Sequence, residues 1–282
     1  MPSLGSRRGG TQADREIVFL GTSACLLIPS FHCDCETCER ARRNPTLRRT
    51  RASLALLGRE NTIIDPDPDL DHQLERESIR QVHRIFITHW HNDHIAGLGN
   101  LAEPSWLNDW PLIDLYAPAE VMWQFEQSWE FVAHRLRLHP VKPGDVIETP
   151  DAEWEVVKTT HTTNSVGYVA EAGKRFAYLV DSIEPPQATV ERLTGIDLLI
   201  LESAVDEFRP EPDETRWSNF AVPEAVAFWQ NTGIPECIIT HWSGHTWKQR
   251  RMVAGWSEEE RDRFVARHPG LRFATDGLRI RV

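Results

Sequence analysis

The chain has 282 residues, 40% hydrophobic and 26% charged, a composition ordinary for a globular protein with enough length to bury a sizeable core. No apolar run approaches the roughly 20 residues that span a bilayer, and residues 1–16 lack the apolar stretch of a signal peptide, so a cytoplasmic protein without a membrane partner is expected. The formal net charge of −11 argues against a nucleic-acid partner, which usually needs a basic face.

Residues 1–15 are polar and Gly/Arg-rich and read as a disordered tail, leaving 16–282 as one folded unit. Residues 16–20 form an apolar strand ending at Gly21. A loop follows that carries Cys33, Cys35 and Cys38. Cys25 and Cys237 stand alone and read as small buried residues. An odd cysteine count without a secretion signal argues against disulfides, and three clustered thiols suggest a metal instead. Arg40, Arg42, Arg43, Arg48, Arg49 and Arg51 form the only dense basic run, which reads as a solvated helix face. Residues 53–57 and 62–64 read as paired strands around a Gly58 turn, 65–71 as a Pro/Asp-rich loop, 74–81 as a short helix and 85–88 as a buried strand. Val121, Phe125, Trp129 and Val132 recur at helical spacing and predict a helix over 119–138. After the turn at 142–145, strands are expected at 154–158, 167–170, 176–180, 198–201 and 236–240. Helices are expected at 223–230 and 258–267, and a closing strand at 278–282.

Several of these strands end at residues with metal-ligand chemistry. Thr88 precedes His89, Thr160 precedes His161, Val180 precedes Asp181 and Thr240 precedes His241. Strand ends place side chains on one rim of a sheet at fixed separation, as a metal site requires. His89, His91, Asp93 and His94 lie within six residues, a spacing that lets one turn supply two adjacent ions. Eleven tryptophans are present. Those near the motif loops, Trp90, Trp106, Trp110, Trp217, Trp242 and Trp247, read first as packing residues and second as a wall for an aromatic substrate group.

The run Thr88-His89-Trp90-His91-Asn92-Asp93-His94 after a strand resembles the signature of the metallo-β-lactamase superfamily. That resemblance implies an α/β fold, a four-layer αββα sandwich built from two similar halves. It implies one divalent ion at His89, His91 and His161 and a second at Asp93, His94 and His241, with Asp181 bridging. Asp93 and Asp181 would then be catalytic, acting with a metal-bridging hydroxide, and the ions would be zinc, manganese or nickel. The stretch from Gly21-Thr22-Ser23 through Cys33-Asp34-Cys35-Glu36-Thr37-Cys38 to Arg49-Thr50-Arg51 narrows the likeness to PhnP-type phosphodiesterases. It implies a structural zinc on the three cysteines and a later histidine, His245, with His32 as the alternative. Protein B of pyrroloquinoline quinone biosynthesis shares the cysteine cluster. PhnP-type enzymes carry a leaving-group histidine where this chain has Trp217, a candidate substrate-binding residue, and His139 or Asp213 is the alternative proton donor from another loop. The expected function is hydrolysis of a small or cyclic phosphodiester. Hydrolysis of a lactone, ester or thioester is the first alternative, and a metal-holding carrier is the non-enzyme one. A tRNA-processing nuclease is disfavoured by the charge. A homodimer stays open.

Overall fold

The computed structural model describes residues 15–206, 219–248 and 251–282. Residues 1–14 of the expected tail lie outside these, as does Trp217. Arg15 is in place: its guanidinium donates to the Ala172 carbonyl at 3.3 Å, and its own carbonyl accepts from Val282 N at 3.1 Å.

Sixteen strands are found among the described residues. They are β1 (Glu16–Gly21), β2 (Ser53–Leu57), β3 (Thr62–Ile64), β4 (Arg84–Phe86), β5 (Ile113–Pro118), β6 (Leu136–Val141), β7 (Val146–Glu148), β8 (Glu153–Lys158), β9 (Val166–Glu171), β10 (Arg175–Leu179), β11 (Leu198–Glu202), β12 (Glu236–Thr240), β13 (His245–Lys248), β14 (Arg251–Ala254), β15 (Leu271–Phe273) and β16 (Arg279–Arg281). One seven-stranded sheet runs β16-β1-β2-β3-β4-β5-β6. The other runs β15-β12-β11-β10-β9-β8-β7, and β13 pairs with β14 alone.

Alternation of side chains along each strand builds the layers. Ile17 and Phe19 of β1 point between the sheets, whereas Val18 and Leu20 point out toward helices. Leu198 and Ile200 of β11 likewise point inward, and Leu199 and Leu201 outward. The inner layer carries Phe86, Trp154, Tyr168 and Phe176, fully buried, each worth roughly 1.5–3 kcal/mol. Leu70–Arg76 and Ala119–Ser128 cover the outer face of the first sheet, and Val222–Thr232 that of the second. Because both faces of each sheet are covered, the central strands are apolar throughout, as the near-continuous runs at 85–87 and 198–201 require. This is the αββα sandwich.

Several local expectations need correction. The helix expected over 119–138 stops at Ser128, resumes for Glu130–Ala133, and gives way to edge strand β6, which pairs with β5 over six residues. Only Leu136 and Val141 of β6 are buried, so the strand has no apolar run to announce it, and Pro140 is tolerated at an edge. The helix expected at 74–81 lies at Leu70–Arg76. Cys38 sits on a helix, Glu36–Arg43, rather than in a loop. Cys237 is buried, as its spacing suggested, but Cys25 is exposed.

Candidate metal centre

The rim at one end of the sandwich gathers the motif residues. Strand β4 ends at Phe86, and the chain then runs through Thr88 to His89, where it is pinned to the second sheet. Tyr168 Oη of β9 donates to the Ile87 carbonyl at 2.7 Å, and Val166 N donates to the Thr88 carbonyl at 3.0 Å. His91 precedes the short helix Asn92–Ile95, which carries Asp93 and His94. His161, Asp181 and His241 follow β8, β10 and β12, all strands of the other sheet. His241 has φ +50°, a left-handed turn at the strand end.

These seven residues converge in two sets. His89, His91, His161 and Asp181 offer ligand atoms within 4.8 Å of one another, and so do Asp93, His94 and His241. His91 Nδ1 lies 2.9 Å from His89 Nε2 and 3.1 Å from His161 Nε2. Nitrogens at roughly 2.0–2.1 Å from a tetrahedral ion sit about 3.3 Å apart, so the triangle is close to ligand spacing. In the second set, Asp93 Oδ2 is 3.6 Å from His94 Nε2 and 3.5 Å from His241 Nε2. Both of those imidazole nitrogens are buried without a hydrogen-bond partner. Buried polar atoms are rarely left so, and a cation among them would supply the explanation.

Electrostatics agree. Burial and the neighbouring imidazoles of His94 and His161 hold His89 well below the usual histidine range, so it is neutral with a free lone pair. Burial and His161 lower His91 in the same way. Burial also disfavours charge on His94, but Asp93 and Asp65 overcome it and push the ring up to about 10. The field in the second set thus favours positive charge strongly enough to keep a fully buried imidazole protonated. Burial opposes ionisation of Asp93 and Asp181, yet His94 and His241 hold the first, and His241 and His161 the second, below the ordinary carboxylate range.

Two residues not read from the sequence as site residues, Asp65 and Thr88, orient this centre, and a third, Glu202, lies against it. Asp65, in the loop after β3, accepts from His94 Nδ1 at 2.9 Å and from Thr88 N at 2.8 Å. Thr88 Oγ1 lies 3.0 Å from His89 Nδ1. Each contact fixes a ring so that its Nε2 faces the site, the role outer-shell groups play around metal ligands. Glu202 ends β11 fully buried. Its Oε1 accepts from Phe220 N at 2.8 Å, and its Oε2 lies 4.0 Å from His241 Nδ1. A carboxylate closing the apolar run Leu198–Glu202 was the one available signal.

A second cluster lies beside the first. Cys33, Cys35, Cys38 and His245 are all buried, with ligand atoms within 4.8 Å. His245 Nδ1 is 3.7 Å from Cys38 Sγ, against about 3.6 Å between sulfur and nitrogen ligands of a tetrahedral zinc. Ser30 N points at Cys38 Sγ from 3.4 Å. Burial pushes the Cys38 thiol up to about 12, so this pocket holds thiolates only with a cation. His32 is exposed, edge-on to Phe31, and is not one of the four. Gly244 has φ +64°, a left-handed turn among the three residues between His241 and His245.

Other candidates fall elsewhere. His139, an alternative proton donor, is bonded to Asp114 at 2.7 Å and stacked on Tyr116 in the first sheet, off the cavity. Asp213 lies outside the described residues. Trp90 stands edge-on to His91 at the rim, Trp106 is exposed, and Trp242 is buried, donating to Asp206 at 2.5 Å. The arginine run is not uniformly solvated: Arg49 donates to the Trp242 carbonyl at 2.7 Å and lies 4.3 Å over its ring.

Comparison with known proteins follows this geometry. The family described as beta-lactamase superfamily domain matches residues 60–242. Among curated proteins, an octanoyltransferase of Porphyromonas gingivalis is 25% identical over 239 residues, covering 81% of this chain and 46% of that one. A ribonuclease Z of Crocosphaera subtropica is 32% identical over 151 residues, covering 50% and 42%. The chain thus spans less than half the length of these curated relatives. Among solved structures, a diphosphatase of the PhnP family superposes with a TM-score of 0.80 at 25% identity, covering 95% of this chain and 97% of that one. Zinc-bound PqqB of Methylobacterium extorquens gives a TM-score of 0.76 at 19% identity, covering 95% and 100%. No described helix is long and apolar enough to cross a membrane. With its family match spanning more than half of the chain and its two-sheet architecture shared with these structures, the protein belongs to the beta-lactamase superfamily and has the metallo-β-lactamase fold, in a family that includes hydrolases.

Proposed function

We propose that the chain is a metal-dependent hydrolase acting on a small or cyclic phosphodiester. The observation that carries this reading is the pair of adjoining donor sets on one rim. His89, His91 and His161 would hold one divalent ion and Asp93, His94 and His241 a second, with Asp181 between them. Cys33, Cys35, Cys38 and His245 would hold a structural zinc. When bound, two zinc, manganese or nickel ions lower the pKa of a shared water and stabilise charge developing at the attacked centre. The chain's own groups arrange the rest. Asp65 and Thr88 lock the tautomers of His94 and His89. Asp93, ionised at neutral pH, is placed to accept a proton from the attacking water and to aim it.

The diphosphatase and ribonuclease Z among the relatives favour a phosphorus centre over a carbonyl. The net charge of −11, and a cavity without Lys or Arg among its described lining, favour a small substrate over RNA. Hydrolysis of a lactone, ester or thioester is the second reading, favoured by the apolar part of the same cavity. Likeness to PqqB keeps a metal-holding carrier as the non-enzyme alternative. Bis(p-nitrophenyl) phosphate, lactones and thioesters, assayed with manganese, nickel and zinc, separate the three. Turnover of the phosphodiester is expected, and a flat response across all substrates and metals refutes the hydrolase. Elemental analysis should approach three metals per chain. A ratio near one after supplementation refutes the dinuclear site.

A further inference from the structure

Beside the histidine and carboxylate rim, the cavity lining carries the polar Asn219 and Ser243 and an aliphatic part: Ala24, Cys25 and Leu26 from the loop after β1, and Ala204 and Val205 from the loop after β11. No Lys or Arg appears among its described lining. A substrate bearing two or more phosphate charges ordinarily meets guanidinium groups or helix N-termini in addition to any metal.

The aliphatic side is built in advance. Ser23 Oγ donates to the Leu26 carbonyl at 2.6 Å, and Arg51 Nε to the Cys25 carbonyl at 2.9 Å. Arg51 is itself paired with Asp69 at 3.0 Å. Val222 N donates to the Val205 carbonyl at 3.0 Å, and Ala204 N to the Phe220 carbonyl at 3.1 Å. A wall held this way needs little ordering when a ligand arrives. The whole cavity, rim included, measures about 170 Å³, which limits an apolar group seated there to about the size of one ring.

We propose that this aliphatic wall seats an apolar group of the substrate, one aromatic ring or a short alkyl chain, carried on a singly charged phosphodiester. The proposal deepens the hydrolase reading and rests on it for the position of the phosphorus centre. A bulky nucleotide, with its added charge and polar ring, should bind more weakly than such a substrate.

The test compares two singly charged analogues, phenyl methylphosphonate and methyl methylphosphonate, on the manganese-loaded protein. Affinity is read by calorimetry. Cys25, the exposed cysteine among the five, gives a second readout, its rate of labelling by iodoacetamide. The phenyl compound should bind about tenfold to a hundredfold more tightly, because the ring buries more apolar surface. It should slow Cys25 labelling in proportion to occupancy. Leu26→Ser should erode the phenyl preference while leaving the methyl affinity unchanged. Equal affinity for the two analogues overturns the proposal, as does tighter binding of adenosine diphosphate than of either. If the wild type cleaves bis(p-nitrophenyl) phosphate but shows no phenyl preference, the wall assignment alone falls. If it prefers phenyl but cleaves no ester, the hydrolase reading falls and the wall assignment stands. Should Leu26→Ser fail to fold, affinity and labelling in the wild type still decide.

Discussion

Asp65→Asn is the most discriminating single substitution. Asn keeps an oxygen for Thr88 N, which now donates to Asp65 Oδ1 at 2.8 Å. The other carboxylate oxygen, 2.9 Å from His94 Nδ1, becomes an NH₂ group. Two donors then face each other, and a ring that gives Nε2 to a metal must keep its proton on Nδ1, where it has lost its acceptor. Loss of an outer-shell partner of this kind typically costs 10–100-fold in metal affinity, about 1.4–2.7 kcal/mol. The metal-free fold should respond differently. Burial raises the Asp65 pKa even against the help of His94, so its charged form is a net cost to the folded state at neutral pH. Asp65→Asn should therefore leave metal-free stability within about 1 kcal/mol of the wild type. Asp65→Ala should lose roughly 1–3 kcal/mol more, because it leaves the buried Thr88 N–H without an acceptor. Chelator competition measures the metal affinity, and urea unfolding of metal-free protein measures the stability. Unchanged metal affinity in Asp65→Asn, or equal destabilisation in both variants, refutes the reasoning.

The other predictions address separate parts of the molecule. Cys35→Ser should lose one zinc per chain and lower the thermal midpoint by more than about 5 °C, because a closed zinc site couples binding to folding; unchanged zinc content sinks the structural site. His91→Ala should abolish turnover while keeping a cooperative unfolding transition, since His91 stands on the rim and not in the core; loss of that transition would show it to be a core residue. Gly244→Ala should cost about 1–2 kcal/mol from its φ of +64°, with more from a Cβ that meets the Arg49 guanidinium, and an unshifted thermal midpoint counts against this turn. Asp276 accepts from Thr50 N at 2.8 Å and Thr22 Oγ1 at 2.8 Å, yet burial raises its pKa above the ordinary value. A raised folded pKa means its stabilising contribution is complete below the unfolded value and is lost as pH rises through the folded one. The stability advantage of wild type over Asp276→Asn should accordingly shrink between acid and neutral pH, and a gap that widens contradicts the sign.

The first donor motif was legible because His89, His91, Asp93 and His94 sit within one turn, where spacing alone implies proximity. His161, Asp181 and His241 were legible at one remove, because each follows an apolar strand that must end at the rim. Asp65 gave no such signal. It lies among other acidic residues in a Pro-rich loop, and only the approach of Thr88 and His94 in space separates it from Asp67 and Asp69. The helix at 119–128 was recognised by periodicity, and its end was missed for the same reason. Trp129 and Val132 continue the apolar spacing through a short second helix, and edge strand β6 exposes most of its residues and carries no pattern of its own. Cys25 and Cys237 are alike in sequence. One lies in a central strand and the other on the wall of the cavity, a difference set by topology.

The segment from His241 to His245 explains why Arg49 leaves the solvated face read for the arginine run. It serves both clusters: His241 reaches the second donor set, and His245 reaches the cysteines. Between them Trp242 donates to Asp206, and Arg49 stacks on its ring while donating to its carbonyl. Arg49 and Ile28 exchange backbone hydrogen bonds at 2.9 and 3.0 Å, which ties the arginine to the strand of chain that leads into the cysteine cluster. Burial lowers the Arg49 pKa to about 10, still well above neutrality, so the stacked guanidinium keeps its charge. The two ligand sets are therefore joined by covalent chain on one side and by Arg49 on the other. A cysteine site held closed fixes both ends of that clamp, and with it the left-handed turn that presents His241. In the proposed hydrolase the cysteine cluster would support the rim through this short path, without contributing a ligand to it.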